Sequence, residues 1–264
     1  MKAIILAAGQ GTRLKSLTRN KPKCLVSLFG KPLIEWQLDA FRNCGITDIS
    51  IVRGYQSQLI TYSDISYFEN SDYMNTNMVE TLFCAKEKFN DDIIVSYGDI
   101  IFESSILQKL IDSKYDISVI VDQKWSSYWK KRFENPLDDA ESLSYSSNGD
   151  ISSIGQKVSN LNEISGQYIG LIKFKKNICQ KIIEHYKKLY EISLNQDSIS
   201  KFKNMYMTDF LQSLINHGQS IKPVIVDNGW LELDSVDDYE LYHKMYEDNT
   251  ISDFIKLNNS DNNK

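Results

Sequence analysis

The residues best suited to chemistry open the chain. Leu6-Ala7-Ala8-Gly9-Gln10-Gly11-Thr12-Arg13-Leu14 leaves an apolar run, puts two glycines where side chains would block a close approach, and then delivers an arginine. Backbone amides in such a turn can cradle phosphate oxygens, and Lys21-Pro22-Lys23 adds flexible cations a few residues later. Two familiar phosphate loops do not fit. The dinucleotide fingerprint needs a third glycine where Leu14 stands, and the P-loop needs Gly-Lys followed by Ser or Thr. A Gly-x-Gly turn of purely structural purpose stays open, and the neighbouring cations tilt the balance toward a phosphate.

Two distant aspartates share a context. Asp99 follows the apolar run Ile93 to Tyr97, and Asp234 closes Trp230-Leu231-Glu232-Leu233-Asp234 just before Ser235. The carboxyl edge of a parallel strand is where open α/β sheets place ligand chemistry. Asp99 equally suits a turn or helix cap, and Asp234 suits a neighbour of the Ser235 N-cap. His185, His217 and His243 fall in helical patterns and read as packing or surface residues.

Composition narrows the ligand. The 264 residues carry 30 basic and 35 acidic side chains, a net charge of -5, so no basic surplus attracts a nucleic acid polymer or an anionic membrane. A polyanion must be met by a local cluster, and Arg13, Lys21, Lys23 and Lys31 form one in sequence. Cys24, Cys44, Cys84 and Cys179 stand far apart in apolar surroundings without CxxC spacing, the pattern of reduced core cysteines in a cytoplasmic protein and not of a zinc or disulfide scaffold. The longest apolar runs, such as Ala3 to Ala8, are strand-sized, and no basic segment with a cleavage site precedes the first. Neither export nor membrane insertion is expected.

Rigid elements must bring these residues together. Strand-like and helix-like segments alternate through the first half, which predicts a mostly parallel sheet with helices on its faces. Strands are expected at Lys2 to Leu6, Ile49 to Val52, Ile93 to Tyr97 and Ile117 to Val121, with helices at Pro32 to Cys44, Met78 to Phe89 and from Ser104 or Ser105. Further strands are expected around Leu143 to Tyr145, Ile151 to Ile154, Gln167 to Phe174 and Ile221 to Val226, and helices at Asn177 to Tyr190, Thr208 to Asn216 and after Ser235. With 42% hydrophobic residues, positions 1 to 250 suffice for one domain. Residues 123 to 143, rich in aromatics and charge, break the alternation and read as a lid or insertion, and residues 251 to 264 as a frayed polar tail.

In this setting the chain resembles the nucleotidyltransferases that activate sugar phosphates and small phosphorylated alcohols. Their signature, L-A-A-G-x-G-T-R-L followed by P-K-x-L and G-K-P-L, is matched in order by Leu6 to Leu14, Pro22-Lys23-Cys24-Leu25 and Gly30-Lys31-Pro32-Leu33. The resemblance implies an α/β, Rossmann-like fold: a mixed, mostly parallel sheet flanked by helices, with an inserted acceptor-binding lid. It implies that Leu6, Ala7, Ala8, Gly9, Gly11, Thr12 and Gly98 bind a nucleoside triphosphate, and that Arg13 and Lys23 act on its phosphates and on the leaving pyrophosphate. It also implies that Asp99 and Asp234 hold Mg²⁺ at the α-phosphate, since carboxylates beside a triphosphate repel it without a cation.

Three stretches, Asn75-Thr76-Asn77-Met78, Tyr206-Met207-Thr208-Asp209 and Leu233 to Tyr239, resemble the bacterial choline-phosphate cytidylyltransferase branch and its relatives that act on phosphonates or phosphorylated amino compounds. On that branch Asn77 and the backbone near Met78 face the base, although Asn77 equally suits a helix cap. The implied reaction transfers CMP from CTP to a small phosphorylated or phosphonate acceptor, whose oxygen attacks the α-phosphorus without a protein nucleophile. Lys157 is expected to grip the acceptor phosphate, with Gln156 where sugar-acting relatives carry an acid. Trp125, Tyr128 and Trp129 suit the wall of a pocket for a cationic acceptor, with Tyr168 lining it and Asp209 pairing with an amine; equally, the aromatics suit the packing of a lid and Asp209 a helix face, while Arg132 points instead to an acceptor carboxylate. The rivals are a sugar 1-phosphate nucleotidyltransferase using another nucleotide and an inactive nucleotide-binding protein.

Overall fold

The computed structural model describes residues 1–257. Along the chain run β1 (Lys2–Ala7), β2 (Ser27–Leu28), β3 (Lys31–Pro32), α1 (Leu33–Asn43), β4 (Asp48–Arg53), β5 (Ile65–Glu69), α2 (Met78–Cys84), β6 (Ile93–Tyr97), β7 (Ile100–Phe102), α3 (Ser104–Asp112) and β8 (Ile117–Asp122). There follow α4 (Trp125–Arg132), β9 (Glu141–Tyr145), β10 (Ile151–Lys157), β11 (Gln167–Phe174), α5 (Lys176–Asn195), α6 (Ile199–Lys203), α7 (Met207–Asn216), β12 (Lys222–Val226), β13 (Trp230–Glu232) and α8 (Val236–Glu247).

β1 is apolar after Lys2, and successive side chains point to opposite faces: Ala3, Ile5 and Ala7 join one core layer, Ile4 and Leu6 the other. A strand buried on both faces belongs in the middle of a sheet. The seven-stranded sheet runs β12-β8-β11-β6-β1-β4-β5, with β1 parallel to β4 and β6, and β11 antiparallel to β6 and β8. Residues of α1, α3, α4 and α8 fill one layer, and those of α2, α5 and α7 the other.

The register decides what meets at the sheet edge. Leu6 lies opposite Tyr97, so the turns after β1 and β6 emerge side by side. The short antiparallel ladder of β7 with β13 pairs Trp230 with Phe102 and Glu232 with Ile100. Leu233 N then donates to Asp99 O at 3.0 Å, which brings Asp234 to the end of β6.

Three expectations are corrected by the packing. The segment expected to be a lid supplies α4, whose Trp125, Tyr128 and Trp129 are 4%, 1% and 3% exposed and pack with Trp230 in the main core. Residues just past 250 close the core instead of fraying: Ile251, Phe254 and Ile255 are buried, and Gly229 N donates to Phe254 O. Positions 258 to 264 of the expected tail lie outside the described residues. All four cysteines are free, but Cys84 is exposed and only Cys24 and Cys179 are fully buried. No described helix is long and apolar enough to cross a membrane.

Candidate active site

The glycine turn is built for close approach. Gly11 sits at φ +72, and a Cβ there would fall 2.9 Å from Lys23 Cβ. A Cβ on Gly98 would fall 2.5 Å from Leu6 O, so only glycine lets the two turns stack. Thr18 Oγ1 donates to Gly11 O at 2.9 Å and Tyr55 N to Ala8 O at 2.9 Å, which fixes the turn from both sides. Leu14, the residue that breaks the dinucleotide fingerprint, is a fully buried core residue. Arg13 follows Thr12 in a 3-10 turn (Thr12–Thr18); its side chain is 66% exposed and reaches Asp234 Oδ1 at 3.0 Å.

Lys23 sits between the two aspartates. Its Nζ donates to Asp99 Oδ2 at 2.8 Å and to Asp234 Oδ1 at 2.5 Å. Burial alone would lower the lysine pKa, but the paired carboxylates outweigh it and hold the ammonium above its ordinary value. Burial likewise opposes ionisation of Asp234, yet Lys23, with help from Arg13 and Arg132, draws its carboxyl below the usual range. Lys31, expected in the same basic cluster, is diverted: it pairs with Asp39 at 2.6 Å and lies over the Trp36 ring.

A third acid completes the site. Oxygens of Asp99, Glu232 and Asp234 all lie within 4.8 Å of one another. Glu232 lies outside the expected ligand pair; the spacing Glu232-Leu233-Asp234 is the sequence signal for it, because it puts both acids on the face opposite the buried Leu233. Burial and the nearby Asp234 push the Glu232 carboxyl up, with Arg132 opposing. Asp99 Oδ1 is buried with no hydrogen-bond partner among the described residues. Three clustered carboxylates, with an unpartnered oxygen on Asp99, fit a divalent cation such as Mg²⁺.

Beside this cluster opens a cleft lined by the turns after β1 and β6 and the start of α2. Leu6, Ala7, Ala8 and Gly9 form one wall, Asn77, Met78 and Tyr73 the other, and Gly98, Asp99 and Lys23 line its inner end. Asn77 Oδ1 accepts from Met78 N at 2.8 Å and so caps α2; its amide Nδ2 lies 3.5 Å from Asn204 O. Capping therefore uses the acceptor end of Asn77 and the first free amide of the helix. The buried Asn70 holds this wall in place, donating to Thr76 Oγ1 and Thr81 Oγ1 at 2.9 Å each. Tyr73 had no local sequence signal, because only the fold brings it to the cleft.

The acceptor candidates separate. Trp129 is buried, with Nε1 donating to Asp139 Oδ2 at 3.1 Å, so it walls no pocket. Arg132 is also unavailable: its side chain is 0% exposed and its donors are taken by Glu232 and Asp238. Tyr168 packs edge-on to Tyr97, a cleft residue, with centroids 5.7 Å apart, and its hydroxyl is buried with no hydrogen-bond partner among the described residues. Lys157 ends β10 as an exposed side chain opposite Glu141, and Asp209 is exposed and accepts from Tyr206 N at 3.3 Å, capping α7.

Known proteins share this arrangement of sequence and fold. The MobA-like NTP transferase domain family matches residues 3–154. The chain is 40% identical over 252 residues to the CTP:phosphoglutamine cytidylyltransferase of Campylobacter jejuni, covering 91% of this chain and 98% of that enzyme. It is 37% identical over 119 residues to the choline-phosphate cytidylyltransferase of Streptococcus pneumoniae, 44% of this chain and 52% of that enzyme. The solved structure of the CTP:phosphocholine cytidylyltransferase from Streptococcus pneumoniae has the same fold, with a TM-score of 0.70 at 22% identity over 93% of this chain and 98% of that one. With more than half of its length matched by the domain family and a relative aligned almost end to end, the chain belongs to the nucleotidyltransferases built on the MobA-like NTP transferase domain.

Proposed function

We propose that this enzyme moves CMP from CTP to the phosphate of a small phosphorylated amino acid of the phosphoglutamine type, releasing pyrophosphate, with Mg²⁺ as cofactor. Lys23 carries this conclusion: a lysine held between two aspartates at the inner end of a glycine-walled cleft is a charge arrangement that a triphosphate and a cation can exchange into. For the acceptor, similarity to the phosphoglutamine enzyme continues past the nucleotide half into the region of Lys157, Tyr168 and Asp209. Choline would need an aromatic wall, and burial of Trp125, Tyr128 and Trp129 removes the one expected.

When bound, Mg²⁺ would neutralise charge at the α-phosphate, with Asp99, Asp234 and Glu232 as its candidate ligands. The protein's own part is positional. Amides of the Ala8 to Gly11 turn come close to the phosphates because no side chain intervenes. Arg13 and Lys23 turn from the aspartates to the triphosphate and hold the departing pyrophosphate. The Asn77 amide donates to the acceptor edge of cytosine through the N–H not directed at Asn204 O, and Lys157 receives the acceptor phosphate while Tyr168 and Asp209 face its amino-acid end. That phosphate is ionised near neutral pH and needs no general base. The histidines accord with this, since His185 contacts Ser213 and His217, and His243 packs on Phe29 and Tyr239. CTP and such acceptors occur in the cytoplasm, where we place the enzyme.

The test is a pyrophosphate-release screen of CTP, UTP, dTTP, GTP and ATP against phosphoglutamine, phosphocholine, aminoethylphosphonate and hexose 1-phosphates, with Mg²⁺ or EDTA. Turnover is expected for CTP with phosphoglutamine and its loss in EDTA. Preference for dTTP or UTP with a hexose 1-phosphate refutes the assignment, and EDTA-resistant turnover refutes the metal.

A further inference from the structure

We propose that Arg132 is a positioning residue that preforms the Asp99, Glu232 and Asp234 cluster for its cation and never meets the acceptor. The inference rests on the metal-binding part of the function proposed above. Arg132 has no solvent-exposed side-chain surface and cannot lose its charge, so its place in the core is set by the carboxylates around it. Nε donates to Asp238 Oδ1 at 2.9 Å, Nη2 to Asp238 Oδ2 at 3.2 Å, and Nη1 to Glu232 Oε2 at 3.0 Å. Nη2 also stands 3.7 Å from Asp234 Oδ2.

These contacts grip the site twice. Glu232 is held directly by its carboxylate. Asp234 is held through Asp238, whose Oδ2 accepts from Asp234 N at 3.0 Å, Ser235 N at 2.9 Å and Ser235 Oγ at 3.0 Å. One planar fork thus orients Glu232 and the backbone that carries Asp234. The rings of Tyr128, Trp129 and Phe133, with centroids 5.3, 5.4 and 5.1 Å from the guanidinium carbon, close off water and fix the plane of the fork. The arginine brings positive charge from the core side, opposite Lys23, so three acids can crowd together before a cation arrives. A lysine would supply the charge without the fork.

The experiment compares the full-length protein with Arg132→Lys and Arg132→Met. Mn²⁺ alone is titrated by electron paramagnetic resonance without nucleotide or acceptor, thermal unfolding is followed, and kcat and KM are measured for CTP and phosphoglutamine. Arg132→Lys is expected to weaken Mn²⁺ binding by about 10- to 100-fold and lower kcat, while the phosphoglutamine KM stays within about twofold and the protein remains folded. Should Arg132→Met fail to fold, Arg132→Lys decides. Wild-type Mn²⁺ affinity in Arg132→Lys overturns the proposal, as does a phosphoglutamine KM raised about tenfold with Mn²⁺ binding intact, or a wild-type protein that binds no Mn²⁺. Weakened Mn²⁺ binding in the variant supports the proposal even if the wild type turns over no CTP, an outcome that refutes the proposed reaction alone.

Discussion

Gln37 offers the most direct test of how the scaffold aims Asp99. It lies on α1 with no exposed surface, and its amide Nε2 donates to Tyr97 O at 2.8 Å and Ile100 O at 2.7 Å. Its Oε1 accepts from Ser96 Oγ at 2.8 Å. The two carbonyls flank Gly98-Asp99, so one buried side chain ties down the turn that presents the aspartate. Gln37→Met keeps the volume and opens no cavity, but it strands two buried carbonyls and a hydroxyl. At about 1–3 kcal/mol for each of the two carbonyls, less about 1 kcal/mol gained by burying the thioether and with Ser96 able to re-partner, the net loss comes to about 1–5 kcal/mol. For a chain of this size that lowers the unfolding midpoint by roughly 2–20 °C. Urea unfolding followed by tryptophan fluorescence gives the stability, and pyrophosphate release gives kcat, expected to fall at least about tenfold as Asp99 shifts. A loss below about 0.5 kcal/mol would falsify the hydrogen-bond accounting; a large loss with wild-type kcat would sever Gln37 from the placement of Asp99.

Other perturbations separate site from scaffold. Lys23→Met removes the cation between Asp99 and Asp234 and is expected to cut kcat by about 10²–10³, with a stability cost of about 1–3 kcal/mol because Arg13 and Arg132 still face Asp234; steady-state rates at wild-type level would remove it from the site. Trp129→Ala is expected to cost about 3–5 kcal/mol in chemical denaturation with no change in acceptor KM in the folded fraction; an altered KM at unchanged stability would restore the acceptor wall. Burial, with His217 and Lys188 nearby, pulls the His185 pKa from 6.5 down to about 4. The unfolded chain therefore binds the proton first, and stability declines as pH falls from about 6.5 toward 4, by about 1 kcal/mol once screening at this half-exposed site is allowed for. Denaturation curves for His185→Gln across that interval should be flatter than for the native chain, and equal slopes would refute the assignment.

Periodicity made most of the fold legible. β1 and α1 announce themselves because strands and helices repeat apolar residues with different periods. The elements that escaped are of another kind. β5 is half-buried along nearly its whole length and has no clear inside, and β7 and β13 are three residues each, too short to show a period. The segment around α4 was misleading for a chemical reason. Trp125, Tyr128, Trp129 and Arg132 stand at i, i+3, i+4 and i+7, the spacing of a buried helix face, but the last is an arginine, so a core stripe looked like a polar binding surface.

The sequence by itself determined the chemistry on offer: a glycine turn after a buried strand, cations close behind it, and aspartates at strand ends, in the order of a nucleotidyltransferase signature. Tertiary structure alone decided which charges meet. Lys23 and Asp234 are separated by 211 positions and come within 2.5 Å because the ladder of β7 with β13 brings the end of one strand to the end of another. Lys31 and Arg132 carry the same charge as Lys23, yet one is spent on Asp39 at the surface and the other is sealed behind aromatic rings. Local spacing reports periodicity, whereas the role of a charge depends on its partners and on its access to water, and both are properties of the packed chain.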